Sequence, residues 1–289
     1  MPEGSADHDA APPVDTRFNW VGVLTSVVAP TTFVTALLFF LGFAYTDSFY
    51  HYFGLDAATL GFSTPDFLVR GSPALFVPVG GLLFGMLLVA LVYHLATRRG
   101  GSGWVRRVCL VLAVAVVPLL VLGFLTGFEA VDLGPDAAPL FIGGALLLAL
   151  LARMLFVRTT GSPYPLRGER AAVAVIVAIV VLCCFWAATG YAHTKGTEDA
   201  RRLGSQLYER PAMIVDTTEP LYLTWPAVRE APLADAGQGQ RFHHRYHGFR
   251  LLAQSGSRMF LIPRDWTWDT GNVLVLSLDS GVRVAFHPG

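Results

Sequence analysis

Over the first two thirds of the chain, apolar residues run in long unbroken blocks; over the last third they come in short runs separated by turn residues. A helix needs about 20 apolar residues to cross a hydrocarbon core of about 30 Å. Five blocks reach that length: Trp20 to Tyr45, Ala74 to Ala96, Val108 to Phe128, Pro139 to Val157 and Ala171 to Thr194. Only the fourth holds a charge, Arg153, which lies near its end, where a long stem carries the guanidinium to the interface. The block at Trp20 follows an acidic flank and exceeds a signal-peptide core, so it is expected to remain in the mature chain.

The pattern therefore predicts a membrane all-α region of five transmembrane helices, residues 20–194, followed by a small extracytoplasmic β-rich domain at 211–289. Residues 195–210 are charged and helix-compatible and read as a linker helix. Residues 1–19, with Pro2, Pro12 and Pro13 among acids, read as a disordered cytoplasmic tail. In the tail domain, Ala212 to Val215 and Leu221 to Trp225 are β-prone. Tyr246 to Ala253 with Arg258 to Ile262, and Asn272 to Leu278 with Val282 to His287, read as two hairpins of a small barrel or sandwich.

Between the first two blocks lies TDSFYHYFGLDAATLGFSTPDFLVRG, dense in aromatic rings that suit the headgroup layer. Short helices at Ala57 to Leu60 and from Ser63 or Thr64, with Pro65 in the first turn, are expected to lie along that surface. The alternative is a docking surface for a partner or a lid over a lateral cavity.

Composition supports the membrane reading: 53% of the 289 residues are hydrophobic and 15% charged, against about a quarter charged in soluble domains. Formal charge is zero, 21 basic against 21 acidic, so no overall field exists to hold nucleic acid. Basic residues cluster in two connections, with Arg98, Arg99, Arg106 and Arg107 in one and Arg158, Arg167 and Arg170 in the other. Both are expected to face the cytoplasm. The connection holding Glu129, Asp132 and Asp136 faces outward, and five crossings leave the tail outside.

The segments YFGLDAATLGFSTPDFLVRG, LYLTWPAVRE and FRLLAQSGSRMFLIP together resemble multi-span membrane proteins of high-GC Gram-positive bacteria to which no activity is attached. The resemblance implies a cell-membrane setting and an extracytoplasmic tail, and carries no function.

Candidate chemistry is sparse. Intramembrane hydrolases need paired acids, a nucleophile with its base, or HExxH, and no block contains Asp, Glu or a Ser/His pair at helical spacing. Thr25, Thr32 and Thr35 lie within about 80° on one helix face, with Pro30 freeing a carbonyl between them. They either line a narrow path or satisfy helix contacts. Gly81 and Gly85 form a GxxxG expected to pack helices within the chain, with a dimer seam as the alternative. His243, His244 and His247 surround Arg245; a metal would meet a repelling cation there, so no metal or cofactor is expected. Cys109, Cys183 and Cys184 read as small buried hydrophobes.

The inner connections are too short for a signalling or catalytic domain. The expectation is a non-enzymatic integral membrane protein, an accessory subunit, receptor or scaffold whose outer β domain binds a protein or ligand. The alternative is a channel or permease subunit with the first span lining the path. Expected partners are the lipid bilayer and a protein partner or second copy.

Overall fold

The computed structural model describes residues 20–99, 102–134, 136–160, 168–234, 237, 239–269, 271–279 and 281–287. Side chains of 20–31, 33, 34, 72–75, 96, 97, 99, 102 and 158–160 also lie outside the description, as does the expected tail at 1–19. The chain divides into two units, Met1–Leu37 and Leu38–Gly289.

Six helices come first: α1 (Trp20–His51), α2 (Ala57–Leu60), α3 (Thr64–Arg99), α4 (Ser102–Gly127), α5 (Ala137–Thr160) and α6 (Glu169–Ser205). Among the described residues, four stretches are long and apolar enough to cross a membrane: Phe76–Leu95, Gly103–Gly127, Ala137–Val157 and Glu169–Ser205. The first expected span falls on α1, much of whose apolar half lacks described side chains.

Local signals explain the helix ends. Asp56 caps α2, accepting from the Ala58 amide at 2.8 Å, and Gly61, at φ 71°, ends it. Ser63 and Asp66 form a capping pair at the start of α3, the Ser63 amide and hydroxyl both donating to Asp66 Oδ2. The second short helix expected along the surface is instead the first turns of α3, which continues for 36 residues. Its first turns lie backbone to backbone against α1: a Cβ on Gly71 would overlap Gly42 Cα, and one on Gly42 would overlap the Phe67 carbonyl.

The last third forms β1 (Ala212–Thr217), β2 (Arg229–Pro232), β3 (His244–Ser255), β4 (Arg258–Pro263), β5 (Leu274–Ser277) and β6 (Val282–His287). They make a single antiparallel sheet in the order β5-β4-β3-β1-β6, with β2 also paired to β3, rather than a barrel or sandwich. The β3–β4 hairpin is present. β5 and β6 do not form the second expected hairpin, because β5 pairs with β4 and β6 with β1, at opposite edges. Leu221 to Trp225 is not a strand: Pro220 and Pro226 bracket it and deny ladder donors, and Tyr222 takes φ 49°.

Two cores flank the sheet. On one face Met213, Val215, Tyr246, Met259, Leu261 and Leu276 are covered by Leu221, Leu223 and Trp225. On the other, Leu252, Phe260, Ile262 and Trp266 pack with Tyr50, Phe53, Leu60 and Ala200 from the helix tips. The aromatic loop is thus roofed by the chain's own sheet. Arg70 joins this core, donating to Tyr50 Oη at 2.6 Å and lying 4.2 Å from the Phe62 ring centroid.

Candidate functional site

Strand register builds a polar surface that no local motif announces. Across β2, β3, β1 and β6, Ala231, Arg245, Asp216 and Arg283 stand in one row. Arg229, His247, Ile214 and Ala285 stand in the next. Past the bulge between Met213 and Ile214, Arg250, Ala212 and His287 form a third row. Alternation directs Met213 and Val215 into the opposite core, so these rows share one face. The rows hold four arginines against one carboxylate, a surplus of three (4 − 1) in a chain of zero formal charge.

Asp216 organises the surface. It is 3% exposed and accepts from two strands at once. Arg245 Nε donates to Oδ1 at 2.8 Å and its Nη2 to Oδ2 at 3.0 Å. Arg283 Nε and Nη2 donate to Oδ2 at 3.0 and 2.6 Å. The Arg245 hydrogen bonds first, and those of Arg283 after them, hold the Asp216 carboxyl below the usual range against the opposing effect of burial. Arg283 also sits 4.8 Å from the Phe242 ring centroid. Arg250 donates to the Arg210 carbonyl at 2.7 Å, while Arg229 and His247 are exposed. A carboxylate that fixes two half-exposed guanidiniums leaves their outer N–H groups aimed at solvent and ready for an anion.

The three histidines separate. His247 joins the basic rows, whereas His244 bonds through Nδ1 to Glu230 Oε1 at 2.6 Å on the opposite face. Glu230 is the acidic neighbour that sequence order hid, since it arrives from β2.

A second polar group lies where α1, α5 and α6 meet. Ser48 Oγ is hydrogen-bonded to His193 Nδ1. Asp136, just before α5, places its buried Oδ1 against Gly190, where a Cβ would overlap it. Burial pushes the Asp136 carboxyl up, with His193 acting in the other direction. No hydrogen bond joins Asp136 to His193 among the described residues. Nearby, Tyr45 Oη donates to Asp199 Oδ2 at 3.0 Å and Lys195 Nζ to Oδ1 at 2.7 Å.

The candidates on the apolar helices fare differently. Thr32 and Thr35 are exposed, and the side chains of Thr25 and Pro30 lie outside the described residues. Among the described residues nothing lies within 4 Å of a Cβ built on Gly81 or Gly85, so neither makes the helix contact expected of it. Close approach falls instead to Gly42, Gly71, Gly123 and Gly196; Gly123 forms a GxxxG with Gly127, and the other three have no such partner to mark them. Of the cysteines, Cys109 and Cys183 are buried and Cys184 is exposed. Compared with protein-family models, curated proteins and solved structures, the chain matches none.

Proposed function

We propose that this chain is a non-enzymatic, multi-pass membrane protein that displays a binding sheet outside the cytoplasm, as an accessory subunit, receptor or scaffold. In this reading α1 is a fifth span, the arginine-bearing connections face inward and the sheet stands outward.

The observation that supports it is the shared core: Tyr50, Phe53, Leu60 and Ala200 from the helix tips interlock with Leu252, Phe260, Ile262 and Trp266 of the sheet. A sheet tethered only by a linker would tumble independently. One that buries aromatic rings with the helices is held in a fixed pose, which suits a surface that must meet a partner in a set orientation.

Two measurements test this. Cysteine at exposed Ser257 should react with an impermeant thiol reagent on intact cells, and cysteine at Arg98 should react only after permeabilisation. Full-length protein purified from native membranes in mild detergent should carry a stoichiometric partner; a pure homo-oligomer would overturn the binding role.

A further inference from the structure

The rows of Arg229, Arg245, Arg250 and Arg283 share their sheet face with Ile262, which stands opposite Arg250 in register and belongs to the core formed with the helix tips. The sheet therefore sits on the helices with one half of this face, and the other half, β2, β1 and β6, overhangs. Its basic side chains point to the side from which the helices rise. Those helices extend well past their apolar blocks. α6 runs to Ser205, 11 residues beyond Thr194 (205 − 194), or about 16 Å at 1.5 Å per residue. α3 begins at Thr64, ten residues before Ala74, or about 15 Å. Extended arginines reach across much of such a gap.

We propose that the overhanging rows receive the phosphate headgroups of anionic lipids in the leaflet beneath the sheet. This rests on the reading above that α3 and α6 span the bilayer and carry the sheet on their tips. Guanidinium forks match phosphate oxygens in planar, paired geometry. Asp216 keeps Arg245 and Arg283 ordered before any lipid arrives, which lowers the entropy cost of binding. Between the arginines stand Ala212, Ala231, Ala285 and Ile214, and the Phe242 ring lies against Arg283, so the rows offer no projecting aromatic anchor of the kind that dominates protein interfaces. A laterally mobile array of phosphates fits a surface with charge and little relief.

The test uses the full-length chain in nanodiscs, with Cys109, Cys183 and Cys184 replaced and a fluorophore on Ala285→Cys, an exposed position in the second row. Quenching by a headgroup spin-labelled lipid is read in phosphatidylcholine alone and with roughly a third phosphatidylglycerol. Quenching should rise with phosphatidylglycerol, fall at high ionic strength, and weaken by about fivefold in association for Arg229→Gln. Arg229 lies on a short strand and does not touch Asp216, so this variant keeps the clamp; Arg229→Glu, with an unchanged melt, is the second variant. Equal quenching in both lipid mixtures, or insensitivity to both variants, overturns the proposal. Protection of the fluorophore by soluble polyphosphate with no response to phosphatidylglycerol also overturns it, assigning the surface to a soluble polyanion. Nanodiscs have no inside or outside, so this assay reads headgroup contact whichever side the sheet occupies, while the Ser257 labelling reads the side.

Discussion

Ser48 on α1 and His193 on α6 are hydrogen-bonded to each other across 145 positions of sequence. The pairing is possible because Gly196, one turn along α6, lets α1 come close: a Cβ there would overlap the Tyr45 carbonyl and meet Ser48 Cβ at 3.2 Å. Backbone proximity comes first and the hydrogen bond follows from it.

Gly196→Leu should therefore cost far more than Ser48→Ala. The serine change removes one partly solvated hydrogen bond, about 1 kcal/mol. The glycine change must push apart a pair of helices whose neighbouring residues, Ala192 and Ala200, are buried. Thermal unfolding of the detergent-solubilised chain should show a small shift for the first and gross loss of folded protein for the second. Gly81→Leu, at a position facing open space, should leave the melt nearly unchanged.

Asp216 sets an acid limit on the sheet. Its folded carboxyl lies lower than in the unfolded chain, where about 3.9 is usual. The stability it contributes is thus complete above that value and is lost as pH falls through the folded one. Asp216→Asn, which leaves two guanidiniums around a neutral group, should destabilise by about 3 kcal/mol at neutral pH. It should also flatten the acid limb of a melt-against-pH series. Arg283→Gln, at a more exposed side chain, should cost less.

Asp136 behaves in the opposite sense. Burial raises its carboxyl, so the folded state binds its proton more tightly than the unfolded state, and this contribution declines as pH rises through the folded value. Asp136→Asn keeps the shape without the charge. It should melt higher than the parent at neutral pH, with the difference shrinking on acidification; a lower melt at all pH values would mean the carboxylate has a cationic partner.

The joint core should couple regions of the chain far apart in sequence. Phe260→Ala is expected to cost about 3–5 kcal/mol and Leu60→Ala about 2–5 kcal/mol. Because both residues belong to one cluster, the double mutant should lose less than the sum. An excised 211–289 fragment would expose Leu252, Phe260, Ile262 and Trp266 to water, and should aggregate or melt well below the intact chain.

The long apolar blocks, the capped start at Ser63 and the hairpin around Gly256 were legible because each is encoded within a few consecutive residues. The basic rows were not, since β1 and β6 meet only through register: nothing near Asp216 in sequence names Arg245 or Arg283. Val282, Val284 and Phe286 alternate as an edge strand should, but alternation does not choose a neighbour, and the hairpin drawn with Asn272 to Leu278 followed proximity in sequence. The packing of the aromatic loop was hidden for a related reason. Its rings suit a headgroup layer and a protein core equally well by composition, and its core partners Phe260 and Trp266 arrive from the far end of the chain.

The pairing of β1 with β6 also imposes an order on biogenesis. Val282 follows its partner Thr217 by 65 positions (282 − 217), an interval of roughly 3–13 s at a synthesis rate of about 5–20 residues per second. Throughout that interval β1 presents an open edge, and Asp216 has at most one of its two guanidiniums. A nascent chain leaving the membrane thus carries a half-neutralised acid beside an unpaired strand, the combination most open to a wrong partner. Chaperone demand should accordingly peak in the seconds before β6 emerges, and a ribosome stalled between Thr217 and Val282 should yield the most aggregation-prone form of the protein.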